Sequence, residues 1–271
     1  MAVTMADVAA EAGVNKATVS RVLRGDPRIS PQTRRRVWDI VRRLGYEPNV
    51  VAKGLSSRRT DVVGVVLADL ARPWMGELLS GLERVLAKRG IDLLPLASGG
   101  LAGSRARALR ILKGRGVDGA LWLDGLPDEE PAFPVVTLDE PLRLGSAIVI
   151  DEERLARALE ALAGPAGLVL RQGPAPLFPG LARHLKSDRP GALPLYDDHP
   201  LPSPPPKRAV LCGRPDLASH LGWISVPWPA FEIGVLAGRL LFNLIRDQGS
   251  RPGQIRLTPS VIDGATKPVS Q

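Results

Sequence analysis

The sequence predicts an α/β protein in two parts: an all-α helix-turn-helix head, then a doubly wound core on parallel strands. Three observations carry that expectation. Residues 4–23 hold two short amphipathic helices around a glycine turn. Charge is concentrated at one end: residues 1–60 carry 12 Lys and Arg against 5 Asp and Glu, whereas 61–271 carry 24 against 23. Beyond residue 60, continuous apolar runs alternate with amphipathic stretches in a strand, helix, strand rhythm.

In the head, Thr4 can cap a first helix with Asp7 at the capping-box position, and Met5, Val8, Ala9 and Ala12 follow on one buried face. Gly13 can take the positive φ that ends this helix, and Asn15 supplies the acceptor that starts the next. On the second helix Val19, Val22 and Leu23 face inward. Lys16, Ala17, Thr18, Ser20 and Arg21 are left facing outward or toward the turn, a small and basic set suited to a helix in a DNA major groove. A helical hairpin packed against some other surface is the competing reading of the spacing, but the basic charge falls on this same segment, as phosphate binding requires.

Ser30-Pro31 opens a third helix whose stripe is Val37, Ile40, Val41 and Leu44, with Gly45 as its stop. Arg34, Arg35, Arg36, Arg42 and Arg43 fall on or beside its other face, some for phosphates and some for water. Asn49 can cap a very short helix over 50–55. At about six residues, with Gly54 inside it, such a helix is far below the length stable alone in water. It should form only when something holds it.

The core begins with a buried parallel strand at 62–67, an amphipathic helix at 75–89 and a stop at Gly90. Strands are expected at 91–96, 119–123, 135–138 and 147–150, with a helix at 104–113. The second half predicts helices at 152–163, 180–186 and 230–247 and strands at 167–171, 193–196 and 209–212. Between residues 197 and 206 five prolines mark an exposed loop. In such a layout ligands bind off the carboxyl ends of the strands.

Several classes are excluded. Cys212 is the single cysteine among 271 residues, so no internal disulfide forms. No apolar stretch resembles a signal peptide or is long enough for a bilayer, so a cytoplasmic location and no membrane partner are expected. His184, His199 and His220 have no metal-ligand spacing, and no nucleophile elbow, P-loop or zinc motif occurs. No enzyme activity, metal or cofactor is expected.

Residues 1–60 resemble the DNA-binding headpiece of the LacI/GalR repressors at Thr4, Asp7-Val8-Ala9, Gly13-Val14, Thr18 to Leu23, Ser30, Thr33-Arg34, Val37, Leu44-Gly45-Tyr46, Pro48-Asn49, Ala52 and Leu55. The resemblance implies a headpiece at 1–47, a hinge helix and linker at 48–60, and a periplasmic-binding-protein-like core of two subdomains at 61–271. It implies a homodimer on double-stranded, near-palindromic operator DNA, contacted through Thr4, Asn15, Lys16, Ala17, Thr18, Ser20 and Arg21 and through the hinge residues Asn49, Ala52, Lys53 and Leu55. Lys16, Ala17 and Arg21 take the positions that choose the operator, and Leu55 takes that of the wedge that kinks it.

In the core, residues 69–75 match the family loop that lines an effector cleft, with Arg72 where an Asn is usual, Trp74 kept as a stacking face and Met75 departing from the pattern. Asp139 and Asp151 fall at strand ends, each a cleft residue or a cap. Leu177 stands where the effector-anchoring Arg is expected, and Pro215-Asp216 answers only half of an Asn-Asp pair. One strand-helix unit of the second subdomain is missing. The candidate effector set is therefore Asp69, Arg72, Trp74, Asp139, Asp151 and Asp216, for a sugar or, given Arg72, an anionic sugar phosphate. The alternative is a core that no longer binds a small molecule and serves dimerisation or a protein partner. With no Leu heptad near the C-terminus, a dimer is expected rather than a tetramer.

Overall fold

The computed structural model describes residues 3–23, 25–46, 59–127, 129–138, 141–143, 145–172, 177–178, 180–185, 191–197, 200–247 and 253–263. They divide into two compact units, Met1–Thr60 and Asp61–Gln271. The hinge segment with Asn49, Ala52, Lys53 and Leu55 lies outside the described residues, as does Asp139.

The first unit is three helices: α1 (Met5–Ala12), α2 (Lys16–Leu23) and α3 (Pro31–Leu44). Val8 and Ala12 of α1, Val19 and Val22 of α2, and Val37, Ile40 and Val41 of α3 close into one apolar cluster, with Tyr46 beneath. The glycine stops form as the sequence requires. Gly13 sits at φ 60°, with its N–H on Ala10 O at 3.2 Å and the Val14 N–H on Ala9 O at 3.1 Å. This Schellman arrangement satisfies the last carbonyls of α1 and turns the chain into α2.

In the second unit a six-stranded, all-parallel sheet contains β1 (Val62–Leu67), β2 (Asp92–Ala97), β3 (Gly119–Trp122), β4 (Val135–Leu138), β5 (Gly145–Ile150) and β10 (Gln254–Leu257), in the order β10-β5-β4-β3-β1-β2. The connecting helices are α4 (Met75–Leu86) and α5 (Ala102–Arg115). The chain grows outward from β1 to β2, then returns to the other side of β1 with β3. That reversal opens a crevice at the carboxyl ends of β1 and β3. The expected helix at 75–89 stops at Leu86 and finishes as a 3-10 turn, Ala87–Arg89, before Gly90 at φ 67°.

Helix α6 (Glu152–Ala163) leads to a second parallel sheet, β6 (Leu168–Gln172), β7 (Leu193–Asp197), β8 (Val210–Cys212) and β9 (Ile224–Val226), in that order. α7 (Pro215–Leu221) joins β8 to β9, and α8 (Ala230–Arg246) carries the chain back to β10. The helix expected over 180–186 is instead one 3-10 turn, Leu181–Arg183. A segment this short gains too few hydrogen bonds to hold an α-helix by itself, and the buried Phe178 and Leu181 pin it as a single turn. No α-helix joins β7 to β8 among the described residues; the proline-rich stretch there lacks the N–H groups a helix needs. One face of this sheet packs α7 through Leu211, Ala218 and Trp223. The other joins the core of the first sheet, so a single apolar cluster runs from Val63 through Leu155 and Phe178 to Val226 and Ile233.

Helices α4 and α8 approach backbone to backbone. A Cβ at Gly81 would collide with the Phe231 carbonyl, and one at Gly234 with the Leu78 carbonyl and the Leu82 amide. Neither obstacle is a flexible side-chain end, so both glycines are steric requirements. At Gly103, exposed on α5, an added Cβ would have nothing within 4 Å. Gly234→Ala is therefore expected to destabilise the core by roughly 1–3 kcal/mol through overpacking. Gly103→Ala should stabilise it by about 0.5–1 kcal/mol through helix propensity. Urea unfolding of the two variants measures both signs.

Candidate functional site

The recognition face of the head follows from how α2 is held. The Asn15 side-chain oxygen accepts the Thr18 N–H at 2.7 Å and the Thr18 hydroxyl at 2.9 Å, so Asn15 and the half-buried Thr18 form a cap. Val19 and Val22 fix the inner side. At 100° per residue, Lys16, Ser20, Ala17 and Arg21 then share an arc of about 140°. Lys16, Ala17 and Arg21 are exposed and Ser20 is half-buried. The Lys16 and Arg21 side chains take no hydrogen-bond or ion-pair partner among the described residues.

Thr4 also works as a cap. Its backbone N–H and hydroxyl both reach Asp7 Oδ2 at 2.8 Å, and its hydroxyl oxygen accepts the Asp7 N–H at 3.4 Å. Hydrogen bonds from Thr4 hold the Asp7 carboxyl below its ordinary range, with Lys16 as a smaller electrostatic contribution. Asp26, in the turn after α2, accepts both Nε (3.0 Å) and Nη2 (2.7 Å) of Arg28. Those bonds drive its carboxyl well below the usual carboxylate range.

The structure sorts the arginines of α3. Arg34 donates to the Asp26 carbonyl at 2.8 Å and ties α3 to the turn after α2. Arg42 pairs with Asp39 at 2.6 Å, and Arg43 pairs with Glu11 across to α1. Arg35 and Arg36 are exposed and have no partner among the described residues, which leaves them for an external anion.

A separate site lies wholly within the second unit, at the carboxyl ends of β1 and β3. A cavity of about 420 Å³ is lined there by Asp69 and Arg72 after β1, by Asp124 and Gly125 after β3, by Trp74, Trp122 and Trp228, and by Glu152 and Leu177 from the second-sheet side. A more open cavity of about 990 Å³ shares Asp69, Arg72, Trp74 and Leu177 and adds Pro200, Leu201, Gly213 and Arg214. A third, of about 460 Å³, shares Glu152 and carries Asp151, Arg183, His184 and Arg256.

Trp228 stands at the crossing from β9 to α8. Its ring centroid is 5.9 Å from Trp74 and 5.4 Å from Phe178, the latter edge-on. Such aromatic contacts are worth about 0.5–1.5 kcal/mol each beyond the area they bury. The indole N–H groups of Trp74 and Trp228 are buried with no hydrogen-bond partner among the described residues. Leaving a buried donor unpaired costs about 1–3 kcal/mol.

The expected cleft residues divide. Asp69, Arg72 and Trp74 come together on the loop after β1, where Asp69 accepts the Ala71 N–H at 2.9 Å. Asp151 caps α6, accepting the Arg154 N–H at 3.0 Å, and lines the third cavity rather than the central one. Asp216 is exposed in the first turn of α7 and lines none of these three cavities.

The sequence reading missed Asp124, Glu152, Trp228 and Asp197. Asp124 takes the Ser98 hydroxyl and has Arg105 at 3.8 Å. Glu152 is 9% exposed, and Gly180 lets it in, since a Cβ there would meet its carboxylate. Asp197 is fully buried and accepts the Leu177 N–H at 2.8 Å and the Phe178 N–H at 2.9 Å, fixing the loop that presents Leu177. Burial, with the nearby Asp197 charge, pushes the Cys212 thiol well up. Among the described residues no group of His, Cys, Asp and Glu could hold a metal ion, and no helix is long and apolar enough to cross a membrane.

Residues 4–49 match the family described as bacterial regulatory proteins, lacI family. Catabolite control protein A of Priestia megaterium is 36% identical over 148 residues, 55% of this chain and 45% of that protein. The transcriptional regulator DegA of Bacillus subtilis is 30% identical over 166 residues, 57% and 49% of the two chains. The chain thus spans about half the length of the curated relatives it matches. Over nearly the whole chain the fold is that of solved regulators: the lac repressor dimer bound to operator and the anti-inducer ONPF superposes with a TM-score of 0.75 at 18% identity, over 97% of this chain and 98% of that one. A LacI-family regulator from Silicibacter pomeroyi superposes at 0.71 and 20% identity, over 96% and 98%.

The caps predict measurable effects in the head. Asn15→Ala is expected to lower the stability of the three-helix unit by about 0.5–2 kcal/mol, seen by circular dichroism of the head during heating. Because the Asp7 carboxyl is held below its ordinary value of 3.8, its contribution is complete above about pH 4 and disappears as pH falls through the folded-state value. An acid titration of Thr4→Ala against the parent checks this: the difference should shrink below that pH.

Proposed function

We propose that this chain, whose head belongs to the lacI family of bacterial regulatory proteins, is a sequence-specific transcriptional regulator, a repressor that binds near-palindromic operator DNA as a homodimer. The observation that carries this reading is the face of α2. It presents two cations, Lys16 and Arg21, without hydrogen-bond or ion-pair partners among the described residues, beside small residues on a helix buried on its other side; Arg35 and Arg36 of α3 are likewise exposed. Lys16 and Arg21 suit guanine O6 and N7, and Ala17 suits a thymine methyl. In this reading Arg35 and Arg36 neutralise phosphates, and Asn49, Ala52, Lys53 and Leu55 contact the DNA with Leu55 as the wedge. The relatives are regulators rather than enzymes, and the expected absence of catalysis stands with this reading.

The second unit supplies dimerisation and, in the crevice between its two sheets, a site for a small-molecule effector. Two buried indole donors without acceptors among the described residues support a cleft that is completed by a ligand. One observation favours the alternative, a core without small-molecule control. Leu177 fills the anchoring position, and the apolar cluster continues through both sheets, which resists the opening an effector needs.

Arg21→Ala is expected to weaken operator binding by about 1–3 kcal/mol and to relax preference at one base pair per half-site. Selection from a randomised operator library at fixed salt reads both effects. Equal loss on operator and random DNA would make Arg21 a phosphate ligand instead. Light scattering of the full chain should give two copies per particle; four would overturn the dimer.

A further inference from the structure

We infer that Asp118 is a positioning residue for operator binding: it holds the first residue of the second unit in a left-handed turn, and that turn sets which half-site spacing the dimer accepts. This rests on reading the chain as a dimeric, operator-binding regulator. Asp61 opens the second unit and, among the described residues, is the one non-glycine residue at positive φ, 55°. An L side chain crowds the backbone there, and Asp is one of the few residue types that tolerate it. Such a conformation persists only where its surroundings over-determine it.

Neighbouring elements supply that constraint. The Asp61 N–H donates to Asp118 Oδ2 at 3.0 Å, and the Asp61 carbonyl accepts the Asp92 N–H of β2 at 2.8 Å. The Asp118 N–H donates in turn to the Val62 carbonyl at 2.9 Å, so the residue before β3 grips Asp61 and Val62 in succession. Asp118 owes its own place to the end of α5. Gly116 takes φ 63° there, the Val117 N–H reaches the Leu112 carbonyl at 3.2 Å, and Val117 is buried in the same apolar cluster as Leu112. A fixed helix stop thus presents the carboxylate to the amide just before β1. A left-handed residue breaks the line of an extended strand, so the direction in which the chain enters β1 is dictated by the core. A dimer reading two half-sites is sensitive to that direction, because half-site separation mirrors the geometry of the protein.

Gel shifts with the full chain test this on the operator recovered from the randomised library and on versions whose half-sites stand one base pair nearer or farther apart. The parent should prefer its own spacing by about tenfold or more, and Asp118→Ala, which removes the acceptor, should narrow that preference to about threefold or less. Asp118→Asn keeps an acceptor oxygen and Asp61→Gly takes the left-handed region without a side-chain clash, so both should retain the preference. If Asp118→Ala fails to fold, Asp61→Val decides in its place: a β-branched residue resists the left-handed region, and the narrowing should recur with Asp118 untouched. An unchanged preference in the deciding variant, or an equal loss of affinity at every spacing, overturns the positioning role and leaves the regulator standing. A parent that binds no operator, or binds every spacing alike, overturns both.

Discussion

Trp228 is the contact on which the arrangement of the second unit depends. It lies on the short crossing between the last strand of the second sheet and α8, and it touches Trp74 from the first sheet's loop and Phe178 from the second. One residue therefore belongs to the apolar cluster of both sheets. Any change in the angle between the sheets must move an indole that is 7% exposed past two other rings. Interiors of this density give way by discrete repacking rather than by continuous deformation. The same residue walls the central cavity, so packing and binding compete for one side chain.

The buried Asp197 sets the second half of that constraint. A carboxylate without water is costly unless hydrogen bonds surround it, and here the Leu177 and Phe178 amides donate to it. It thereby fixes both the ring that meets Trp228 and the leucine that fills the cleft wall. Gln172 donates to the Phe178 carbonyl at 2.8 Å and closes the same loop from β6. The glycines at the α4–α8 crossing do comparable service on the other side, holding the return helix against the first sheet with no room for a methyl group.

The head is legible in the sequence almost residue by residue because its determinants are local. Caps act over three residues, glycine stops over one, and the apolar stripes repeat within two turns. Thr4, Gly13, Asn15, Ser30 and Gly45 each take the position their chemistry demands. The strands of the core are also readable, since buried parallel strands are continuous apolar runs. What sequence could not give was anything decided by contacts between distant segments. Asp124 looks like a turn residue until Ser98 and Arg105 approach from other elements. Glu152 reads as the first turn of an amphipathic helix, and only Gly180, 28 positions further on, makes room to bury it. For Asp197 a signal existed: a charged residue ends an apolar strand, and a charge there must find donors. The helix over 180–186 failed for the opposite reason, because an apolar repeat survives in one 3-10 turn as well as in two α-helical ones.

Arg72 shows how the two kinds of information combine. Alone on its loop it argues for an anionic effector, because a guanidinium at a cleft mouth is a ready partner for phosphate. In the fold it shares both cavities with Asp69, and the described residues around them add charged groups the loop cannot reveal: Arg214 at the more open cavity, Asp124 and Glu152 at the central one. The charge a ligand meets is set by the difference between neighbouring walls rather than by any one side chain. Coulomb energy falls with distance and with the water between charges, and Arg214 is exposed, so any anion that it helps to hold should be held more weakly as salt is added.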